Sequence, residues 1–350
     1  MDYFVPAIAI TGTAAISAAG VGIKPALEAL TSGVSCLKPI PDDLVAGTAG
    51  QYWGKADLFK ATDFIPPLKA RKLDRASQFA VAAAGLALAD AGIARGAFPS
   101  DRIGIALGSG FGGIANASEF LSGYYQAGVS GLSPMLFPNT VANAAASNAS
   151  IEYGLQGPNI TFIQRFCSAE SAILAACRFI EEGRADIMLA GGVDELTPQM
   201  MRGFSVTGQL TRYASGFGEG CGMLVLERAD HARCREAAIL AQITTISTIG
   251  LLLPGLEQTG INRLLQRQQS CDRLSISGIE QAAEPFTAAV QATTVSCPGR
   301  LIGRSLAMGG TVLGLLTASL QPGEQGLHLA ASPEGPYYAI SVQGGDAAES

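Results

Sequence analysis

The sequence predicts an α/β fold in which helices pack on buried parallel strands. Residues 157–193 show it best, with an apolar strand at 160–163, a helix from about Ser168 to Glu182, and a buried strand at 187–190. The chain of 350 residues also contains 43 glycines and is 48% hydrophobic. That composition suits close packing of helices on strands around a large core.

The turn at the centre of this βαβ unit, residues 165–168 (RFCS), offers a thiol at a strand-to-helix corner. A helix N-terminus can acidify a cysteine, and backbone N–H groups nearby can bind the oxyanion of a thioester under attack. The arrangement is typical of acyl transfer.

Further segments carry a family resemblance in a fixed order. They are residues 8–12 (IAITG), 72–80 (KLDRASQFA), 103–113 (IGIALGSGFGG), 137–139 (FPN), 157–193 and 218–227 (GEGCGMLVLE). Together with the corner, they resemble the β-ketoacyl synthases, the condensing enzymes of fatty-acid and polyketide synthesis. The resemblance implies a thiolase-like fold, in which two related βαβαβ halves form five αβαβα layers.

The resemblance also implies a division of the chain. Residues 1–228 would form the first half, with the corner and the interface insertions, and residues 229–350 a shortened second half. The irregular stretch at residues 112–148 resembles the family's insertion that crosses to the partner subunit.

The family's nucleophile falls on Phe166 when residues are counted back from Gly192 across the continuous helix. Cys167 then stands where the family has a small Ser or Thr, because an offset of one residue turns a helical side chain by about 100°. Two interpretations stay open: Cys167 is a small, buried, inert residue, or it is the nucleophile.

Condensing enzymes of this family also use two histidines, and this chain has only His231 and His328. His231 resembles part of a solvated surface helix, and His328 lies in a strand-like run without a family motif. Residues 304–314 resemble the motif Lys-Ser-x-x-Gly-His-x-x-Gly, with Arg304 for the lysine and Gly309 at the histidine. Residues 275–286 show no counterpart of His-Gly-Thr-Gly-Thr, and 342–346 are interpreted as a reduced Gly-Phe-Gly-Gly loop.

Loss of the nucleophile and both histidines disfavours decarboxylative condensation, since no other group replaces the proton-transfer partners. The pattern resembles chain-length factors and other degenerate ketosynthase partners of type II polyketide or aryl polyene systems. No catalytic residue is then expected, and whether the chain is an enzyme stays open. The alternatives are an active β-ketoacyl-[acyl carrier protein] synthase or acyltransferase that uses Cys167, and a scaffold with no acyl tunnel.

The resemblance also implies binding positions. Four residues are candidates for the wall of the acyl tunnel at the subunit interface: Phe111, Met135, Phe137 and Phe166. Four basic residues resemble the docking region for an acidic acyl carrier protein: Lys69, Arg71, Lys72 and Arg75. For both groups, ordinary core or surface roles remain open. No cofactor is expected, because phosphopantetheine arrives on the carrier protein, which reaches the chain directly or through a ketosynthase partner.

Composition and charge argue against several other classes of protein and of site. A net charge of −6 argues against nucleic acid, and seven cysteines without a CxxC pair argue against zinc and disulfides and favour the cytosol. The N-terminus lacks a signal peptide. Two uncharged stretches, 237–256 and 305–323, are interpreted as core segments rather than membrane spans.

A dinucleotide-binding turn is the rival interpretation of one glycine pattern. Gly108, Gly110 and Gly113 satisfy GxGxxG after an apolar strand. That site needs a helix, a strand and an acidic residue about 20 residues on, and residues 124–134 do not supply them. We interpret these glycines as serving close backbone packing at a subunit interface.

Overall fold

The computed structural model describes residues 2–41, 44–45, 48, 50–212, 216–266 and 268–345, with side chains from residue 8 onward. The strands in these ranges are β1 (Asp2–Ser17), β2 (Gly20–Val21), β3 (Lys38–Pro39), β4 (Tyr52–Gly54), β5 (Ile103–Gly108), β6 (Asn159–Phe162), β7 (Ile187–Asp194), β8 (Phe217–Gly218), β9 (Gly220–Arg228), β10 (Ala241–Ile249), β11 (Ser270–Gly278), β12 (Gln291–Ser296), β13 (Gln325–Ala331) and β14 (Tyr337–Gly344).

The helices in these ranges are α1 (Ile23–Ser32), α2 (Pro67–Ala70), α3 (Arg75–Asp90), α4 (Ile114–Ala127), α5 (Ala144–Tyr153), α6 (Ser168–Glu181), α7 (Pro198–Val206), α8 (Gln209–Arg212), α9 (Ala229–Cys234), α10 (Glu257–Leu265), α11 (Glu280–Thr287), α12 (Gly299–Ile302) and α13 (Gly309–Ser319).

The main sheet repeats one arrangement twice. Its order is β12-β11-β13-β14-β10-β1-β9-β7-β5-β6, and the antiparallel β1–β10 pair joins the two sets of five strands. In the first set β5 is parallel to β6 and β7, whereas β9 is antiparallel to β7 and β1. In the second, β11, β12, β13, β14 and β10 take these places with the same directions. The related halves expected from the sequence are therefore present.

Alternating side chains give each set of strands two buried faces. Ile187 and Leu189 of β7 pack on α3 and α5, whereas Met188 and Ala190 face the middle of the molecule. Continuous apolar strands of this kind occur where helices cover both faces of a sheet.

Helices α6 and α13 form the middle layer, because both pack against strands of both sets. Helices α3 and α5 cover the outside of the first set, and α10 and α11 cover the outside of the second. The resulting five layers, αβαβα, are those of a thiolase-like fold. The boundary expected at residue 228 coincides with the end of β9 at Arg228, and its assignment as a domain boundary stays a prediction.

Several details differ from the sequence-based expectations. The stretch 112–148 is not irregular throughout, because it contains α4 and the start of α5. Gly108 serves packing within the chain: a Cβ there would lie 2.2 Å from the carbonyl carbon of Ser168. Although α4 follows Gly113, the next strand begins only at Asn159, too far for a dinucleotide-binding unit.

None of the helices in the described ranges combines the length and apolar character that a membrane span requires. The two uncharged stretches contain the buried strand β10 and the buried helix α13.

Candidate functional site

The strand-to-helix corner has the predicted form. β6 ends at Phe162, a 3-10 turn covers Arg165–Cys167, and α6 begins at Ser168. The Ser168 hydroxyl accepts a hydrogen bond from the Gln164 N–H at 2.9 Å and donates one to the Arg165 carbonyl at 2.8 Å. Arg165 adopts a left-handed conformation with φ 52°. The two hydrogen bonds of the Ser168 hydroxyl therefore stabilise the corner.

Phe166 and Cys167 face different parts of the core. The Phe166 ring is 5% exposed and packs in a cluster with Leu196, Phe204 and Leu306. Cys167 belongs to the middle layer, where it is completely buried. A shift of one residue along the corner therefore separates the two side chains, as the spacing predicts.

The surroundings of the Cys167 thiol favour its protonated form. Burial raises its pKa well above the usual value, and the nearby Glu170 carboxyl raises it further. Its Sγ donates to the Pro336 carbonyl at 3.1 Å. A thiol without a thiolate fraction is a poor nucleophile, although the absence of a catalytic role for Cys167 stays a prediction.

A buried polar network lies beside this thiol. Oε1 of Glu170 lies 2.9 Å from Nε2 of His328 and accepts a hydrogen bond of 2.6 Å from the Ser277 hydroxyl. Nδ1 of His328 lies 3.2 Å from the Ser275 hydroxyl. Both Glu170 and His328 are fully buried, and Oε2 of Glu170 has no partner. The second histidine of the chain is therefore held inside the middle layer.

Glu170 occupies the space next to Gly309, the residue that the sequence places at the position of one family histidine. A Cβ added at Gly309 would lie 2.0 Å from Oε1 of Glu170. Ser277 stands immediately before Gly278, at the end of β11, where a His-Gly pair would present a side chain to the same space. The candidate site thus contains a carboxylate, an imidazole and hydroxyls in an arrangement unlike the family's pair of histidines.

The loop that covers the thiol is not the one expected. Residues 342–344 lie in β14, and Asp346 lies outside the described residues. The connection between β13 and β14, residues 332–336, covers Cys167 instead, and Glu334 in it lies 3.6 Å from Arg165. The interpretation of residues 342–346 as the reduced loop was wrong, because a short hairpin connection precedes the last strand.

The four tunnel candidates divide into two pairs. Phe111 reaches the cluster of Phe166 through Phe204, at a ring-centroid distance of 6.0 Å. Met135 and Phe137 lie on the insertion and are 68% and 59% exposed. Their role as a tunnel wall stays a prediction.

The four basic residues also divide. Lys69 pairs with Glu152, and the Arg75 guanidinium contacts the buried Glu219 at 2.7 Å. Arg71 and Lys72 are exposed. Carrier-protein contact remains a prediction for all four.

Two buried carboxyl groups follow each other at the end of β7. Asp194 accepts from the Gly110 N–H at 2.6 Å and from the Ala307 N–H at 2.8 Å, and so links the halves. Glu195 accepts from the Ala115 N–H at 2.7 Å. Burial raises the pKa of Asp194 to about 6 and that of Glu195 to about 7.

His231 is more enclosed than predicted. Its Nδ1 lies 2.6 Å from Oε2 of Glu227, and its ring packs near Phe98. His231 is still partly exposed on α9, with 29% of its side chain accessible, and the strand before α9 supplies its buried carboxyl partner. Within the described residues, no group of three or more His, Cys, Asp or Glu side chains could hold a metal ion.

One charged residue in the sequence is a weak signal of this network, which spacing alone does not identify. Glu170 lies at the start of a helix whose Ala169 and Ile173 are buried, so a charged side chain there indicates a buried partner. Its partner His328 is 158 residues away.

Comparisons with known proteins agree with the geometry. The family described as "Beta-ketoacyl synthase, N-terminal domain" matches residues 6–232. The 3-oxoacyl-[acyl-carrier-protein] synthase 2 of Vibrio harveyi is 30% identical over 69% of this chain, and that of Staphylococcus aureus (strain COL) is 29% identical over 74%. The match covers 63% of the length of the Vibrio protein and 67% of the Staphylococcus protein.

Solved structures show the same fold at lower identity. A β-ketoacyl synthase from Burkholderia phymatum STM815 has a TM-score of 0.82 at 21% identity and covers 97% of this chain and 100% of that one. The ishigamide ketosynthase/chain length factor has a TM-score of 0.79 at 20% identity, with coverage of 97% and 100%. A type II polyketide ketosynthase in complex with its acyl-carrier protein has a TM-score of 0.81 at 20% identity, with coverage of 97% and 99%. The chain belongs to the β-ketoacyl synthase family.

Proposed function

We propose that this chain is a non-condensing partner of an active ketosynthase, which shapes the acyl tunnel during chain elongation as a chain-length factor does. The observation that carries the proposal is the content of the corner. A buried phenyl ring, Phe166, occupies the position that we assign to the nucleophile, and the neighbouring thiol is enclosed, where burial raises its pKa.

The proton-transfer groups support the same function. Condensation needs acid–base groups that reach the substrate, and such groups act within hydrogen-bond distance of the reacting atoms. His328 is fully buried and already bonded to Glu170, and Gly309 has no side chain to offer.

The surface supports a partner subunit. β6 lies at one end of the main sheet, so its outer edge pairs with no strand of the described ranges, and Ile163 just after it is 55% exposed. The insertion exposes further large apolar side chains: Leu121, Tyr125, Val129, Met135 and Phe137. Exposed edges and apolar patches of this kind favour association with a second protein. Among the solved relatives, the ishigamide protein is described as a ketosynthase/chain length factor.

In this proposal the acyl carrier protein and its phosphopantetheine are reached directly or through the ketosynthase, and the cytosol is the expected compartment. Aryl polyene or type II polyketide synthesis is the setting that the proposal favours.

The test uses the chain co-expressed with a ketosynthase that retains its cysteine and two histidines. We expect Cys167→Ala to leave elongation unchanged and Phe166→Leu to lengthen the products, since a smaller side chain opens space for methylenes. Phe286→Leu is the matched control, because Phe286 is equally buried but belongs to the outer layer of the second half.

An active synthase that uses Cys167 is the second candidate, and the names of the curated relatives favour it. Acylation of the lone wild-type protein at Cys167, detected by mass spectrometry and lost in Cys167→Ala, would establish that function. A lone chain with no affinity for any ketosynthase would refute the partner function.

A further inference from the structure

One polar cleft of the molecule is lined by none of the corner residues 165–168. It has a volume of about 940 Å³ and opens between β4, α8 and the helices α11 and α12. Its walls include Tyr52, Leu210 and Gln281, and its charged groups are Glu280, Arg300 and Arg304. Phe166 and Cys167 do not line it. Its volume falls in the range of small-molecule sites, which is about 300–1,000 Å³.

Arg304 lines this cleft with an incompletely bonded guanidinium. The side chain is 2% exposed, and Nε donates to the Gly278 carbonyl at 2.8 Å. Nη2 lies 3.3 Å from Oε1 of Glu280, and Nη1 has no partner among the residues that the structure describes. Burial lowers the pKa of Arg304, but arginine stays protonated in proteins. A buried cation with a free donor is costly unless a ligand completes its bonds.

The charges around Arg304 are not balanced. Arg300, whose side chain is 65% exposed at the rim, contacts Oε2 of Glu280 at 2.6 Å. Glu280 is therefore shared by two guanidinium groups, and one positive charge of the cleft is left without a counter-ion among the described groups that line it.

We propose that this cleft binds a small organic ligand through one singly charged oxyanion, a carboxylate or a phosphodiester. Arginine presents donors in a planar fork that suits both groups. The oxyanion takes the free Nη1 of Arg304 and a donor of Arg300, and Tyr52 and Leu210 offer apolar surface to the body of the ligand. The site does not depend on the proposed partner function, since it shares no lining residue with the corner.

The experiment follows ligand binding through the chain's single tryptophan. Trp53 adjoins Tyr52 in β4, so its fluorescence reports on the wall of the cleft. Dimethyl phosphate and benzoate are titrated separately at constant ionic strength and identify whether a phosphodiester or a carboxylate is preferred. We expect saturable binding of at least one probe, and its absence for both overturns the proposal.

Two variants move the affinity in opposite directions. Arg300→Gln should weaken binding about fivefold, and Glu280→Gln should tighten it about fivefold, because the second removes the competing carboxylate. Arg184→Gln is the control, since Arg184 is similarly exposed but lies outside the cleft. Equal affinities of wild type, Arg300→Gln and Glu280→Gln would show that the arginines serve only the fold.

Arg304→Gln is a less suitable test, because it disturbs a buried side chain that bonds to the backbone. Arg300 is largely exposed, so Arg300→Gln is expected to keep the wild-type melting temperature and decides the question by itself. If Arg184→Gln weakens binding as much as Arg300→Gln, the effect is general electrostatics and the proposed site is wrong.

Discussion

The two halves of the molecule place a strand-to-helix corner at corresponding positions, but the corners differ in chemistry. In the first half, β6 leads through Phe166 and Cys167 into α6, which brings the buried Ser168, Glu170 and Ser171 to the middle layer. In the second half, β12 leads through α12 and Arg304 into α13, which starts with two glycines. Helix α6 places the Glu170 side chain in the middle layer, and Gly309 at the start of α13 leaves room for it.

Both halves of the molecule contribute residues to the buried polar network beside Cys167. Glu170 fits only because Gly309 of α13 has no side chain, and its partners His328 and Ser277 come from strands of the second half. The two halves thus share a topology and a well-packed middle layer although their helices carry different side chains there.

The first test, which has the largest expected effect, removes His328, the residue of the second half that contacts Glu170. We expect His328→Leu to lower the free energy of unfolding by about 3–5 kcal/mol, because removing one partner of this buried pair leaves the Glu170 carboxyl group with one hydroxyl donor. Urea denaturation measures the change.

The double variant Glu170→Leu/His328→Leu is the control. Replacing both partners of a buried polar pair with apolar side chains is often nearly neutral, so most of the lost stability should return. A cost below about 1 kcal/mol for His328→Leu alone would mean that the network contributes little.

The second test concerns the ends of β7 and β13. β7 leads to the buried Glu195, whereas β13 leads to Ser332, which has no charge. In the folded state, burial raises the pKa of Glu195 to about 7. Between about pH 4 and pH 7, the folded chain therefore keeps a proton on Glu195 that the unfolded chain has released. The stabilisation that this carboxyl group contributes is complete below about pH 4 and is lost as pH rises through 7, by about 3 kcal/mol, in addition to the loss that Asp194 contributes.

Glu195→Gln should remove most of this decline, and the variant should be more stable than wild type at pH 8. Unfolding free energies measured from pH 4 to 8 check the slope, with the exposed Glu182→Gln as control. A wild-type slope retained in Glu195→Gln would assign the pH dependence to other groups, such as Asp194.

The third test fills the space that α13 leaves. Gly309→Ala should cost about 1–3 kcal/mol, since its methyl group meets the Glu170 carboxylate, which Ser277 and His328 hold in place. Gly203→Ala is the matched control, because a Cβ at this glycine of α7 meets nothing within 4 Å. Equal effects of the two substitutions would show that Glu170 moves aside freely.

These contrasts also separate what the sequence could predict from what it could not. The corner, its helix and the burial of Phe166 follow from periodicity and spacing, which report on neighbouring residues. The pairing of Glu170 with His328 joins residues 158 positions apart, and no local pattern specifies such a contact. The same holds for the loop over Cys167, which was assigned to residues 342–346 because the last strand carries glycines.

The smallest test compares the turns themselves. The second half has Gly303 before Arg304, with φ 91°, whereas the first half has Arg165 before Phe166, with φ 52°. A left-handed conformation costs a residue with a side chain about 1 kcal/mol, so the first corner carries backbone strain that the second avoids. Arg165→Gly should therefore be about 1 kcal/mol more stable than Arg165→Ala in urea denaturation. Both variants lose the contact of 3.6 Å to Glu334, so the difference between them reports the backbone alone. Equal stabilities would mean that the first corner relaxes out of the left-handed conformation. The turns of the two halves would then differ in backbone conformation despite their shared topology.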